Sequence, residues 1–548
     1  MSTTPPPAAD QATATQPDQP DQPGHPDQPD QPGHPAGLTI HDPARRRAVL
    51  IAVCIALMAV IASVTGLNVA QPELAVAFDA SQSQVLWFIN LYTLALAALL
   101  LPLGALGDRW GRKPMLLAGL VVFGVANAAA GLAQSSEVML GSRLLAGVGA
   151  AMIMPVTLAV ITSTFPEEER AKGIGAWTAV GGGGGLLGMY LSAVLVDLAS
   201  WRWLFALPIA LVVIAVVMTL RSVPNSRDAS AHRFDTIGSA TSALAVLGLV
   251  YALHEGPVHG WTEPVTLTAL AVGLVTGVAF LAWELRQPTP LLDIRLFRDR
   301  RLATGSLAIL TVFGVQAGIL VVLFPFLQVV LGWSALRATF GMLPMALVMM
   351  FSSVIAAKVS ARAGSRATVA SGLVLVSAGL ALMAILVSAD GGYLALLPGM
   401  LALGVGMGLA MTPSTEAITS SLPGDKQGLA SALNDVTREF GTAIGVALLG
   451  AVLTAGYRNA IGAELDSLPD LPDGVADTAR EGLANAVAVA PELDAQAAAL
   501  VRAAQESFIG GWQTAMWVGA AVMAVMFAYV VAHSPSGRPG PSDNDQEA

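Results

Sequence analysis

Fourteen apolar stretches, each long enough to cross a lipid hydrocarbon core as a helix, alternate with short polar connectors along most of the chain. They fall at about 48–70, 85–106, 115–134, 138–162, 173–196, 203–221, 236–254, 265–285, 303–331, 336–357, 367–388, 394–416, 429–456 and 511–533. A core about 30 Å thick takes roughly 20 residues of helix, and each stretch meets or approaches that length. The expected fold class is therefore an all-α polytopic membrane protein with fourteen transmembrane helices. Only 12% of the residues are charged, against about 25% in soluble domains, so a water-facing surface of ordinary extent cannot be covered. The 55 glycines fit the same reading, since glycine lets membrane helices approach closely.

Charge asymmetry sets the expected orientation. An even number of spans puts both termini on one side. That side then holds the N-terminal Arg45, Arg46 and Arg47, the loop residues Arg109, Arg112 and Lys113, Arg170 and Lys172, and Arg221, Arg227 and Arg233. Arg286, Arg295, Arg298, Arg300, Arg301, Lys358, Arg362, Arg366, Lys426 and Arg538 join them. Basic loops stay in the cytoplasm, so both termini are expected there. The first apolar stretch is too long for a signal-peptide core of 7–15 residues and is read as retained. The net charge of −10 does not suggest nucleic acid, whose binders concentrate basic surface. Cys54, the single cysteine, allows no intramolecular disulfide and no thiol metal cluster.

Outside the spans, residues 1–44 form a Pro/Asp/Gln-rich tail in which D-Q-P-D-Q-P-G-H-P occurs at 18–26 and again at 27–35. It has too little apolar content to order itself, and 534–548 reads as a second disordered cytoplasmic tail. One outside loop is long and acidic, spanning 457–510, with helical patches at 483–490 and 493–504. It is either a solvated cap resting on the outer helix ends or a vestibule that collects substrate.

The sharpest local signal is Gly104-Ala105-Leu106-Gly107-Asp108-Arg109-Trp110-Gly111-Arg112-Lys113, between the second and third spans. Its glycines permit a tight turn and close helix approach. Asp108, at the membrane edge, needs a cationic or helix-terminal partner. An acid held by such partners could latch the cytoplasmic face shut. The alternative is a basic turn that only fixes topology.

This stretch resembles the cytoplasmic-loop signature of the major facilitator superfamily, and fourteen spans resemble its drug:proton antiporter branch. Leu67-Asn68-Val69-Ala70-Gln71-Pro72 is similar to the branch's first-helix ending. Arg143 with 147–150 resembles the fourth-helix motif, with Ala146 in place of glutamine, and 200–203, 290–297 and 434–439 resemble further motifs of the branch. The resemblance implies two six-helix bundles, about 45–221 and 303–533, joined through two additional linking helices in 222–302. It also implies substrate bound between the bundles and alternating access, with no cofactor beyond the proton gradient. Its partners would be a small-molecule substrate, protons and the bilayer, and the chain would be monomeric in the inner membrane.

Two departures stand out. Ser63 occupies the place of a first-helix aspartate, which favours neutral or weakly acidic substrates over dications. The fifth-helix antiporter motif keeps Gly181, Gly184, Gly185 and Gly188 but has Met189 for its proline and Ser192-Ala193 for its glycine pair.

Intramembrane ionisable groups are costly and are paired or functional. Arg143 is a candidate proton relay or a structural hydrogen-bonding cation. Asp435, Arg438 and Glu439 stand at i, i+3 and i+4 and share a helical face, and Glu416 is expected at similar depth on the twelfth span. Three acids around one arginine cannot all be satisfied, which suits a proton carrier or, equally, a static cluster. Asp435 is the best single candidate. Glu255 is expected to cap the seventh span outside, with a transport role as the other option.

The leading functional expectation is proton-driven export of amphipathic drugs or antibiotics. Export of an endogenous metabolite or lipid, and a non-transporting sensor on the same scaffold, are the alternatives. The chain has no Walker P-loop, H-E-x-x-H or G-x-S-x-G elbow, so neither enzymatic activity nor ATP-driven pumping is expected.

Overall fold

A computed structural model describes residues 1–2, 39–80, 82–226, 234–468 and 471–535. The chain divides into two units, Met1–Gly37 and Leu38–Ala548, and every described helix belongs to the second. The repeated tail segment with its two histidines, Arg227, Arg233, Asp470 and Arg538 lie outside the described residues.

Fourteen long helices coincide with the fourteen expected spans. They are α1 (Pro43–Val69), α2 (Gln82–Trp110), α3 (Arg112–Gly131), α4 (Ser136–Thr164), α5 (Glu167–Leu198), α6 (Ala206–Ser222) and α7 (Thr236–His259). The series continues with α8 (Pro264–Glu284), α9 (Arg300–Pro325), α10 (Ala335–Ala363), α11 (Ser365–Leu386), α12 (Gly392–Ser420), α13 (Gln427–Asp466) and α14 (Ala497–His533). Thirteen stretches among the described residues are long and apolar enough to cross a bilayer. The remaining helix is the 32-residue α5, which carries the run of five glycines at 181–185.

Side-chain oxygens define several helix starts. Asp42 accepts from Ala44 N, Ser135 from Val138 N, Asp235 from Gly238 N, Asp299 from Arg301 N and Ser334 from Arg337 N. Each satisfies a backbone donor that the first turn leaves open. Because Asp42 caps α1, order begins before residue 45; Ile40 is buried, its N–H bonded to Thr164 O at 2.8 Å.

Helices α1–α6 form one bundle, with α1 against α5 and α6, α2 against α4, and α3 against α4 and α6. Helices α9–α14 form the other, with α9 against α12 and α13, α12 against α10 and α11, and α14 against α11 and α13. Helices α7 and α8 pack on each other, and α7 leans on both α2 and α13. The bundles meet along α2–α13, α4–α13 and α5–α10. Contacts within the second bundle are close. A β-carbon on Gly445 would run into the backbone oxygen of Gly314, and one on Gly441 into that of Leu310, so α9 and α13 touch backbone to backbone.

Two boundaries differ from the sequence reading. The loop expected outside is shorter than 457–510, because α13 runs on to Asp466 and α14 begins at Ala497. These extensions are too polar for hydrocarbon but amphipathic. Their apolar residues Tyr457, Ile461, Leu465, Leu500 and Ala504 are buried together with Val475, Ala479, Leu483 and Ala486 from the short helices Asp473–Glu481 and Leu483–Val489. The second difference is Glu255, which does not cap α7. The helix continues through Pro257 and ends at His259 with Gly260 (φ 108°) as its C-cap, leaving Glu255 half-buried inside the last turns. A proline removes its own N–H and crowds the carbonyl four residues earlier, yet here the helix continues through it for two more residues.

Candidate functional site

The last turn of α2 places Asp108 at the base of the other bundle. Gly111 adopts φ 106°, a left-handed conformation that lets α2 end at Trp110 and α3 begin at Arg112. The turn brings Arg112 back over Asp108, with Nη2 at 2.8 Å and Nε at 3.1 Å from Oδ1. Asp108 Oδ1 also accepts from Gly428 N at 2.8 Å, and Oδ2 from Leu429 N at 3.0 Å. Gly428 and Leu429 lie in the first turn of α13, where backbone donors have no partner inside the helix. The carboxylate thus caps a helix of the opposite bundle at its positive end. Arg112 extends the contact to Gly424 O at 3.3 Å, and its own N–H bonds Ser226 O at 2.8 Å. The approach depends on two glycines. A β-carbon on Gly104 would lie 2.6 Å from Ala432 Cβ, and one on Gly428 would lie 2.7 Å from Asp108 Oδ1.

Of the other motif residues, Gly107 faces Val156 and Met115. Lys113 Nζ donates to Leu220 O at 2.9 Å, while Arg109 and Trp110 are exposed. Gly424, Gly428, Leu429 and Ser226 were not legible as partners, since backbone groups leave no mark in a sequence.

Two turns into α13, Asp435 is fully buried and Arg438 nearly so. Asp435 Oδ1 accepts from Arg438 Nη1 at 3.4 Å and from Asn434 Nδ2 at 3.3 Å, whereas Oδ2 is buried with no partner among the described residues. The Arg438 guanidinium stacks 4.4 Å from the Phe313 ring centre and 5.3 Å from that of Trp177, on α9 and α5. Together with Thr178, Met411 and Thr415 they line a narrow crevice between the bundles. Gly181 makes room for it: a β-carbon there would sit 3.3 Å from Arg438 Nη2. Gly184 faces Met58 of α1, and Gly182 and Gly183 face Met349 and Met350 of α10, so the glycine run lets α5 pass between both neighbours. Glu439, half-buried, lies within electrostatic reach of Arg438, Asp435 and, across the interface, Tyr92.

Glu416 does not join this group. Successive helical residues point about 100° apart. Thr415 faces Arg438, and Glu416 turns instead into a separate cavity of about 790 Å³ lined by the ends of α5, α9, α10, α11, α12 and α14.

Arg143 is fully buried in the first bundle. Its Nε donates to Phe88 O at 3.0 Å, Nη1 to Ser63 Oγ at 3.0 Å and Nη2 to Ser63 O at 3.4 Å. Its guanidinium lies 4.5 Å from the centre of the Tyr92 ring. Ser63 Oγ in turn donates to Asn127 Oδ1 at 2.9 Å. Asn127 was missed in the sequence reading, although a lone amide in an apolar span is itself a signal. Ser63 therefore faces Arg143 and Asn127 and is only 2% exposed. The expectation that its missing charge sets substrate preference has no structural footing.

The chain resembles known proteins in both sequence and fold. The profile described as Major Facilitator Superfamily matches residues 53–446. The multidrug efflux pump LfrA of Mycolicibacterium smegmatis is 32% identical over 480 residues, covering 86% of this chain and 93% of that protein. The multidrug resistance protein Stp of Mycobacterium tuberculosis is also 32% identical, over 84% of this chain and 87% of its own length. Among solved structures, the human organic anion transporter MFSD10 superposes with TM-score 0.57 at 15% identity, covering 89% of this chain and 100% of that one.

Proposed function

The chain belongs to the Major Facilitator Superfamily, and on that premise we propose that it is a secondary active exporter of small amphipathic drugs or antibiotics, driven by proton antiport. The named activity of the relatives that match most of its length supports the substrate class. Positive charge concentrated at the α2–α3 end supports a cytoplasmic position for that face and for both termini, in a bacterial inner membrane.

The observation that carries proton coupling is Asp435, buried at the plane where the bundles meet with one carboxylate oxygen unpartnered among the described residues. Ionised, Asp435 holds Arg438; protonated, it releases the guanidinium to the crevice. Alternating access needs two such electrostatic states if a proton loaded from outside is to be exchanged for a substrate taken from inside. Asp108 supplies the other element, a carboxylate that joins the cytoplasmic ends of α2 and α13 when they meet and leaves them when they part. Arg143, held by a serine and backbone carbonyls, sets the packing of α1, α2 and α4 around Tyr92.

Efflux from inverted vesicles against a chemically varied panel, with and without an uncoupler, tests the reading. Uncoupler-sensitive movement of amphipathic compounds is expected. A purified, folded protein that moves none of them under a proton gradient refutes it.

A further inference from the structure

The cavity that receives Glu416 plays no part in the latch or in the Arg438 crevice. Its volume of about 790 Å³ is that of a drug-sized site, for which 300–1,000 Å³ is typical. It lies wholly among the helix ends on the cytoplasmic side, and it is present while Asp108 joins α2 to α13. Three carboxylates line it, Glu167 and Glu168 at the exposed rim and Glu416 half-buried within, against a single lining cation, the exposed Arg301. Among the described residues the Glu416 carboxylate has no hydrogen bond or ion pair. Beside it Ser414, 2% exposed, also lines the cavity, with a hydroxyl that has no partner among those residues.

The wall between this cavity and the Arg438 crevice is one turn of α12. Pro413, Ser414 and Glu416 face the cavity, while Met411 and Thr415 face the crevice. Pro413 cannot donate to the carbonyl four residues earlier, so this turn lacks one of its hydrogen bonds and gives way more readily than its neighbours.

We propose that this cavity is a cytoplasmic loading site for an amphipathic organic monocation, with Glu416 as its counter-charge and the Pro413 turn as the partition between loading and translocation. A carboxylate in a partly apolar recess with no ion-pair partner of its own is a site that a lipophilic cation satisfies and a neutral molecule of the same shape does not. The proposal rests on the exporter reading for its direction of transport, but the site itself does not.

The experiment measures binding of tetraphenylphosphonium, with neutral triphenylphosphine oxide as comparator, to the full-length protein in nanodiscs. Glu416→Gln is expected to weaken tetraphenylphosphonium by about tenfold or more, the loss expected when one partner of a charge pair is removed, and to leave the neutral compound unchanged. Ser420→Trp, at the exposed rim, is expected to obstruct both and serves if Glu416→Gln fails to fold. Unchanged tetraphenylphosphonium affinity in folded Glu416→Gln or in Ser420→Trp overturns the loading site. Binding that depends on Glu416, without uncoupler-sensitive efflux in vesicles, supports the site and refutes the exporter reading instead.

Discussion

Replacing Asp108 by asparagine tests the contact that joins the bundles at their cytoplasmic ends. Two hydrogen bonds cross from its carboxylate to α13, at 2.8 and 3.0 Å. Bonds to a charged acceptor contribute about 1.5–3 kcal/mol each, and with Asp108 only 5% exposed water screens them little. Asparagine keeps one neutral acceptor, worth about 1 kcal/mol, and turns an amide donor toward the remaining N–H. The net loss is about 2–5 kcal/mol of contact between α2 and α13, or about 30-fold to a few thousandfold in the ratio of closed to open states at 1.4 kcal/mol per decade. Arg112 is not stranded, since Gly424 O and the Ser226 hydroxyl, 3.5 Å away, remain, so abundance stays near normal.

The assay is thiol labelling in inverted vesicles. Thr415→Cys, in a Cys54→Ala background, reports access to the crevice from the cytoplasmic side. Asp108→Asn should raise the labelling rate by at least an order of magnitude and abolish efflux. A well-expressed variant that labels at the parental rate and pumps normally refutes the latch.

Asp435→Asn fixes the state in which Arg438 is released, so gradient-driven efflux should vanish while substrate binding persists; parental uncoupler sensitivity would make Asp435 structural. Arg143→Lys loses the guanidinium's several bonds and its stack on Tyr92 and should abolish efflux, whereas Ser63→Asp, which offers Arg143 a carboxylate, should retain it; full activity in Arg143→Lys counts against any role. Gly445→Ala forces α9 from α13, an overpacking cost of about 1–3 kcal/mol, and should lower the melting temperature in detergent. Tyr457→Phe removes the 2.8 Å bond to Ala479 O, about 1 kcal/mol, and should speed tryptic cleavage at Arg480 without affecting efflux.

Hydropathy made the helices legible because lipid selects residue type along a continuous run. It even showed α5, where glycine dilutes the signal but flanking charges mark both ends. Direction around the helix axis was harder to read. Asp435 and Arg438 were placed together correctly, since i, i+3 spacing fixes their relation. Glu416 went astray because its helix could be rotated freely until Thr415 was seen against Arg438. Arg112, four residues on, was legible as a partner of Asp108, but its partners in the other bundle lie 320 and 321 residues away and are backbone N–H groups, which any sequence supplies. In the acidic loop the helical patch at 483–490 was legible, but the ends were not: the apolar faces of Tyr457, Ile461 and Leu500 carry α13 and α14 into it.

If the bundles rock in the alternating access proposed above, those extended helices make the second bundle a lever arm. At 1.5 Å per residue, the 40-residue α13 reaches about 60 Å, roughly twice the hydrocarbon thickness, and its outer end is bound to the short helices by buried side chains. A rigid-body turn of about 15°, pivoting some 40 Å below the tip, would carry that tip through about 10 Å. A fluorophore or spin label there would therefore register strokes of the transport cycle too small to follow at the membrane midplane, and a rigid ligand fastening the tip to the first bundle would stall the cycle without touching the substrate path.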